Sequence, residues 1–168
     1  MAKRRNAKKG EKQEKMIEIE TMDTKLTLRI KYKEGMEPIV RAHDGEWFDL
    51  RADKDYCIVK DDLLKIGLGV AMELPEGYEA HIRPRSCTAY DFGILMACSG
   101  VIDRRYRGDN DWWNFGAYAV RSGIIHKNDR ICQFRIVPEQ PKNEVLELVT
   151  VETLGNEDRG GFGSTGRR

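Results

Sequence analysis

The sequence predicts an all-β protein that is built from many short strands. Apolar and polar residues alternate with a period of two over residues 27–32, and short apolar runs recur at close spacing farther along the chain. Turn-forming Pro and Gly residues separate these runs, as at positions 75–78. The 168 residues are enough for one domain with a full hydrophobic core. Short strands at this spacing are typical of a sandwich, a jelly roll or a small barrel.

Seven segments fit this pattern in chain order. They are residues 27–32, 69–74, 79–83, 93–97, 117–120, 130–137 and 146–151. The turn at 75–78 connects the second of these predicted strands to the third. Residues 60–65 have the composition of either one turn of helix or a loop. The sequence contains no internal repeat and no sign of a second domain.

The two ends of the chain differ in composition from this β domain, which we place at residues 23–155. Residues 1–22 form a basic arm with few apolar side chains before position 16, which predicts a disordered, solvated segment. A nuclear address in residues 3–9, or weak contact with nucleic acid, is the alternative. Residues 156–168 form a Gly-rich tail. Since no stretch resembles a signal peptide or a membrane span, we expect an intracellular, cytoplasmic protein without a membrane partner.

Charge and cysteine content exclude two classes of function. The formal net charge is only +1, so no global field draws the protein to nucleic acid. The four cysteines and three histidines are dispersed, and no Cys-x-x-Cys pair is present, which argues against a metal cluster. Cys98 and Cys132 lie in apolar surroundings and are expected to be buried thiols.

The tail has the composition of a segment that wraps a polyanion. Gly-rich backbone approaches phosphate closely, Ser164 and Thr165 offer hydroxyl donors, and Arg159 offers a charged fork of donors. Phe162 is the single ring among them and is suited to stacking on a base. The alternative is a disordered Gly/Ser tail with an isolated Phe.

Three further segments carry chemistry, each with a simpler alternative. Arg85 and Ser86 follow a rigid Pro at a strand end and suit a phosphate clamp, or else a surface turn with an N-cap Ser. Asp103 and Tyr106 lie between two glycines and suit a hairpin pocket, unless Asp103 only bonds its own turn. Gln133 follows a turn and suits a water or phosphate ligand, the alternative being a solvent-facing strand residue.

Taken in order, these segments resemble the five motifs of the trimeric dUTPase family. The matching stretches are residues 48–52, 84–86, 100–108, 129–133 and 159–166. The first match is partial, because Glu46 and Trp47 replace small residues, and Asn128 stands where the family usually has Gly. The resemblance covers roughly residues 25–166.

The resemblance implies a jelly-roll-like β-clip subunit of a homotrimer with three shared active sites. It implies hydrolysis of dUTP to dUMP and pyrophosphate with Mg²⁺, which is bound mainly by the triphosphate and by waters. Asp103 matches the residue that activates the attacking water, and Tyr106 matches the ring under deoxyribose. Asp49 matches a carboxylate that supports the metal through water, with no direct protein ligand. Gln133 matches a ligand near the α-phosphate.

The same resemblance assigns the catalytic and the substrate-binding residues. The catalytic set is Asp103, Gln133 and Asp49. The substrate-binding set is Arg85, Ser86, Cys87, Val101, Ile102, Asp103, Tyr106, Gln133, Arg159, Phe162, Gly163, Ser164 and Thr165. In this assignment the backbone near Val101 and Ile102 reads the edge of uracil.

The chain also departs from the family pattern. Ala97 stands where many members have Asn, and residues 109–116 form an unusual, slightly extended segment. Its adjacent Trp112 and Trp113 are expected to pack at a trimer interface, with an exposed partner site as the alternative. A dCTP deaminase, with Asp111 as the nearest acid, is the enzymatic alternative. The other alternative is a dUTPase-like trimer that acts as a binding or regulatory module.

Overall fold

The computed structural model describes residues 26–40, 45–142 and 145–156. Within these residues the chain forms eleven β-strands and one short helix, which confirms the all-β prediction. The strands are β1 (Arg29–Tyr32), β2 (Phe48–Arg51), β3 (Tyr56–Ile58), β4 (Leu63–Gly67), β5 (Val70–Glu73), β6 (Tyr78–Pro84), β7 (Ile94–Met96), β8 (Gly100–Ile102), β9 (Asn114–Ala119), β10 (Gly123–Ile125) and β11 (Arg130–Pro138). Helix α1 (Thr88–Phe92) follows β6. No helix in the described part of the chain is long and apolar enough to cross a membrane.

The strands pair into small antiparallel sheets around one core. Four strands form a sheet in the order β2-β11-β6-β8, three form a sheet in the order β4-β9-β7, and β1-β5 and β10-β3 form two-stranded sheets. Strand β9 shows the expected alternation, because Phe115, Ala117 and Ala119 are buried and the residues between them are partly exposed. The largest fully buried side chains include Trp113, Phe115, Phe134, Leu50 and Ile66. This is the jelly-roll-like architecture that the resemblance implied.

Six of the seven predicted strands are confirmed, and the seventh is wrong for the single chain. Residues 146–151 form no strand, and Leu148 is 91% exposed. Alternating side chains give a segment the capacity to form a strand, but a strand also needs a partner edge for its backbone hydrogen bonds. Residues 60–65 are not helical, because a turn at residues 60–61 leads into β4.

The two cysteines that the sequence predicted to be buried differ in exposure. Cys132 is fully buried, and burial raises the pKa of its thiol well above the ordinary value. Cys98 is exposed, so that prediction is wrong. Its Sγ lies over Gly116, where a Cβ would approach it to 2.5 Å. The apolar neighbours of Cys98 in sequence therefore do not enclose it.

The adjacent tryptophans have different environments. Trp113 is completely buried in the core of its own chain, where its ring packs edge-on against Phe134 with centroids 5.4 Å apart. The predicted place at a trimer interface is therefore wrong for Trp113. Its Nε1 has no hydrogen-bond partner among the described residues. Trp112 is partly exposed, with the ammonium groups of Lys31 and Lys33 at 5.6 and 5.3 Å from its ring centroid.

Candidate active site

The register of one sheet brings three of the predicted site segments together. Gln133 on β11 pairs with Asp49 on β2 and, on its other side, with Arg83 on β6. Pro84 pairs with Cys132, so Arg85 lies directly beyond the end of β6. Residues far apart in sequence therefore meet at one end of this sheet, where β2 and β6 finish and β11 begins. We call this place the Asp49 edge.

Asp49 is the electrostatic centre of this edge. Its Oδ1 lies 3.0 Å from Nε of Arg85, and its Oδ2 lies 3.1 Å from Nη1 of Arg130. The Asp49 side chain is only 11% exposed, so these pairs are less screened by solvent than surface pairs are. Two guanidinium groups around one carboxylate leave a net positive charge, which suits an anionic ligand. Sequence reasoning missed Arg130, although it lies within the matched stretch 129–133.

A buried hydroxyl fixes the backbone of Arg85. The Thr88 Oγ1 accepts a hydrogen bond from the Arg85 backbone N–H at 2.8 Å and donates one to the Ile131 carbonyl at 2.9 Å. The Arg85 side chain also donates from Nη1 to the Arg130 carbonyl at 2.9 Å. The Gln133 amide donates to the Pro84 carbonyl at 3.1 Å. Sequence reasoning missed Thr88, whose role depends on long-range contacts.

Ser86 and Cys87 occupy the turn between Arg85 and helix α1. Ser86 is exposed and does not cap the helix, since Cys87 is the N-cap residue and makes no side-chain capping bond. A hydrogen bond with Asp91, together with burial, raises the pKa of the Cys87 thiol, while the charge of Arg85 acts in the opposite direction. A thiol held in its protonated form is a poor nucleophile.

The third motif leaves β8 and turns sharply. The Asp103 Oδ1 accepts a hydrogen bond from the Arg105 N–H at 2.6 Å, and the Asp103 carbonyl accepts one from the Tyr106 N–H at 3.1 Å. Asp103 therefore bonds its own turn, as the simpler interpretation expected, while its carboxylate stays exposed. Val101 is also exposed, whereas Ile102 is partly buried. Gly100 is required here, because a Cβ would lie 2.7 Å from Cβ of Ile82.

Within one chain, Asp103 lies far from the Asp49 edge. Ile102 pairs with Ala80 on β6, whereas Gln133 pairs with Arg83 on the opposite edge of the same strand. The two positions are thus about 10 Å apart along β6 and about 10 Å apart across it. Asp103 lies one residue beyond Ile102, farther from Gln133. The catalytic residues predicted from sequence therefore form two separate groups within the chain.

The described residues contain no group of three or more His, Cys, Asp or Glu that could hold a metal ion. Magnesium keeps several waters and is often bound by substrate phosphates, so it does not need a cage of protein ligands. Both oxygens of Asp49 are engaged by arginines, and each retains a lone pair that can accept from a water. The predicted tail residues Arg159, Phe162, Gly163, Ser164 and Thr165 lie outside the described residues.

Comparisons with known proteins agree on one family. The family model for dUTPase matches residues 45–166. The SPbeta prophage-derived deoxyuridine 5'-triphosphate nucleotidohydrolase YosS of Bacillus subtilis is 52% identical over 145 residues, which are 85% of this chain and all of that protein. The deoxyuridine 5'-triphosphate nucleotidohydrolase of Hydrogenobaculum sp. is 35% identical over 146 residues, or 86% of this chain and 99% of that protein.

Solved structures share the fold. The dUTPase of Staphylococcus bacteriophage 80alpha with dUpNHpp matches with a TM-score of 0.65 at 20% identity, over 83% of this chain and 98% of that chain. A mutant dUTPase from phage phi11 of S. aureus, described with a structural Mg(II) ion, matches with a TM-score of 0.63 at 19% identity, over 76% of this chain and 98% of that chain. Given the family model and the extent of identity to YosS, the chain belongs to the dUTPase family.

Proposed function

We propose that this dUTPase hydrolyses dUTP to dUMP and pyrophosphate, with a water activated by Asp103 attacking the α-phosphorus. The observation that carries the proposal is the cluster in which Arg85 and Arg130 flank Asp49 at the sheet edge that also holds Gln133. A nucleoside triphosphate is the kind of ligand that such an arrangement attracts.

The phosphate half of the site is the Asp49 edge. Arg85 and Arg130 would stabilise the negative charge that builds on the phosphate oxygens in the transition state. Asp49 orients both guanidinium groups before substrate arrives, so little reorganisation is needed. Ser86 and Cys87 continue the same turn, and the exposed Ser86 hydroxyl is free to donate to phosphate.

The nucleoside half of the site is the segment after β8. Asp103 is an exposed carboxylate whose turn bonds fix its position, and it would orient water and accept its proton. The backbone near Val101 and Ile102 offers the donors and acceptors that distinguish uracil from cytosine. Tyr106 would pack under deoxyribose and leave no room for a 2′-hydroxyl.

A homotrimer would join the two halves. Since Asp103 is remote from Gln133 within one chain, a neighbouring subunit must supply one of them to each site. Residues 145–156 also expose apolar side chains, including Leu148, Val149 and Leu154, that a neighbouring subunit could cover. Light scattering should give about 58 kDa, three times the 19.3 kDa chain. An active monomer would contradict this part of the proposal.

Magnesium and the tail complete the proposed site. Bound to the triphosphate, Mg²⁺ would neutralise charge on the phosphate oxygens. Asp49 would support it through a water. The tail of residues 156–168 would close over the nucleotide, with Arg159, Gly163, Ser164 and Thr165 on the distal phosphates and Phe162 over uracil.

Product analysis tests this function against its alternatives. The protein is incubated with dUTP or dCTP in magnesium, next to Asp103→Asn as the matched control. We expect dUMP and pyrophosphate from dUTP with the wild type only. Ammonia release from dCTP would indicate a deaminase, an alternative that the family match does not favour. Tight dUTP binding without any product would indicate a binding module.

A further inference from the structure

The carbonyl of Trp112 is the only hydrogen-bond partner of the Tyr106 hydroxyl within the described residues. Tyr106 Oη donates to this carbonyl at 3.2 Å. We propose that Trp112 is a positioning residue, which holds the Tyr106 ring in place and thereby sets the preference of the enzyme for deoxyribose over ribose. The inference rests on the proposed role of Tyr106 and adds the device that fixes this ring.

The Trp112 carbonyl is itself held rigidly from the core side. It also accepts a hydrogen bond from Nδ2 of Asn114, the first residue of β9, at 2.6 Å. The next residue, Trp113, is buried in the core, and its backbone bonds Val70 and Leu68 at 2.8 and 2.9 Å. The acceptor of the Tyr106 hydroxyl is therefore attached to a residue whose side chain and backbone are both held by the core.

Two lysines hold the Trp112 ring from the outer side. The Lys31 and Lys33 ammonium groups lie 5.6 and 5.3 Å from its centroid, within the range of cation–π attraction. Lys33 is fixed by Asp53 at 2.6 Å, and the Asp53 side chain is only 8% exposed. Lys31 is fixed by Asp109 at 3.2 Å. The ring thus has charged groups over it that are themselves tethered.

A tight turn connects Tyr106 to Trp112. Asp111 Oδ2 accepts from the Gly108 N–H at 2.6 Å, and the Gly108 carbonyl accepts from the Asp111 N–H at 3.0 Å. A Cβ at Gly108 would lie 2.9 Å from Asp111 Oδ2, so a larger residue would have to displace the carboxylate that accepts from the Gly108 N–H. The first residues of the unusual 109–116 segment are therefore held by this turn on one side and by the backbone bonds of Trp113 on the other.

Tyr106 needs such a tie, because it is 40% exposed and packing alone leaves the ring free to move. Steric exclusion of a 2′-hydroxyl works only if the ring stays in position when the larger sugar enters. Loss of one neutral hydrogen bond changes an equilibrium constant by about three- to tenfold. We expect an effect of that size on the dUTP/UTP ratio of kcat/KM.

The test measures kcat/KM for dUTP and UTP in the wild type, Tyr106→Phe, Trp112→Ala and the double variant. Each single variant should lower the dUTP/UTP selectivity about three- to tenfold, mainly through faster UTP hydrolysis. The double variant should lose no more than the larger single effect, since Tyr106→Phe removes the donor and Trp112→Ala removes the ring that anchors the acceptor carbonyl, so both changes act on the same contact. Trp47→Ala is the matched control, because it also removes a Trp ring that lies near a cation, the Arg135 guanidinium 5.4 Å away, but outside this segment. The dUTP/UTP selectivity of Trp47→Ala should equal that of the wild type.

Three results would overturn the inference. Unchanged selectivity in Trp112→Ala, with dUTP hydrolysis intact, would reject it and leave the proposed function standing. An equal loss of kcat/KM for both nucleotides would show that Trp112 supports only the local structure. Wild-type selectivity in Tyr106→Ala would refute the role of Tyr106 itself, and with it this inference.

Discussion

Thr88→Val is the sharpest perturbation that the structure offers. It replaces the hydroxyl of a completely buried side chain by a methyl group, so the shape of the side chain is nearly unchanged. That hydroxyl connects two backbone groups, the Arg85 N–H and the Ile131 carbonyl. Valine leaves both without this partner. The change therefore separates hydrogen bonding from packing at the base of the phosphate half of the site.

The magnitude follows from these two contacts. A buried backbone group that loses its partner costs about 1–3 kcal/mol, and the cost at Arg85 is at the lower end because that residue is partly exposed. We expect the free energy of unfolding to fall by about 2–4 kcal/mol. This corresponds to a drop in Tm of about 5–15 °C for a chain of this length. Displacement of Arg85 should also lower kcat/KM for dUTP by roughly ten- to a hundredfold.

Thr88→Ser is the matched control, since it keeps the hydroxyl and loses only a methyl group. Its cost should be about 0.5–1.5 kcal/mol. Urea unfolding at one fixed protomer concentration, together with steady-state dUTP hydrolysis, measures both effects. Equal unfolding midpoints for the Val and Ser variants would refute the reasoning, because the hydroxyl would then contribute nothing beyond packing.

Three further predictions concern other parts of the molecule. Asp103→Asn should reduce kcat about 10²–10⁴-fold with nucleotide binding largely retained, as measured by turnover and calorimetry; turnover within a few-fold of wild type would place the base elsewhere. Deleting residues 159–168 should cripple hydrolysis and leave Tm nearly unchanged, and unfolding of the truncated protein would instead make the tail structural. Burial and the hydrogen bond to Asp53 raise the pKa of Tyr56 to about 12. The folded state therefore holds the Tyr56 proton more tightly than the unfolded state does. The resulting contribution to the free energy of unfolding is present in full below pH 10 and is lost as the pH rises from 10 to 12. The urea midpoint of Tyr56→Phe should not show this loss.

The sequence determined six of the eleven strands in the described residues, and the motifs, because these depend on local pattern. Alternation and turn residues were enough to predict six strands and the turn between β5 and β6. The stretches around Asp49, Arg85, Asp103 and Gln133 were found by their residue types and order. Such features need no knowledge of what lies across the fold.

Only the tertiary structure decided which of these residues meet. The register of β2, β11 and β6 joins Asp49, Arg85 and Gln133, and the pairing of β8 with β6 keeps Asp103 apart. The unpaired 146–151 segment shows the same limit, since its pattern predicted a strand for which the described part of the chain provides no partner. Strand register and partner edges are contacts between residues distant in sequence, and local periodicity carries no information about them.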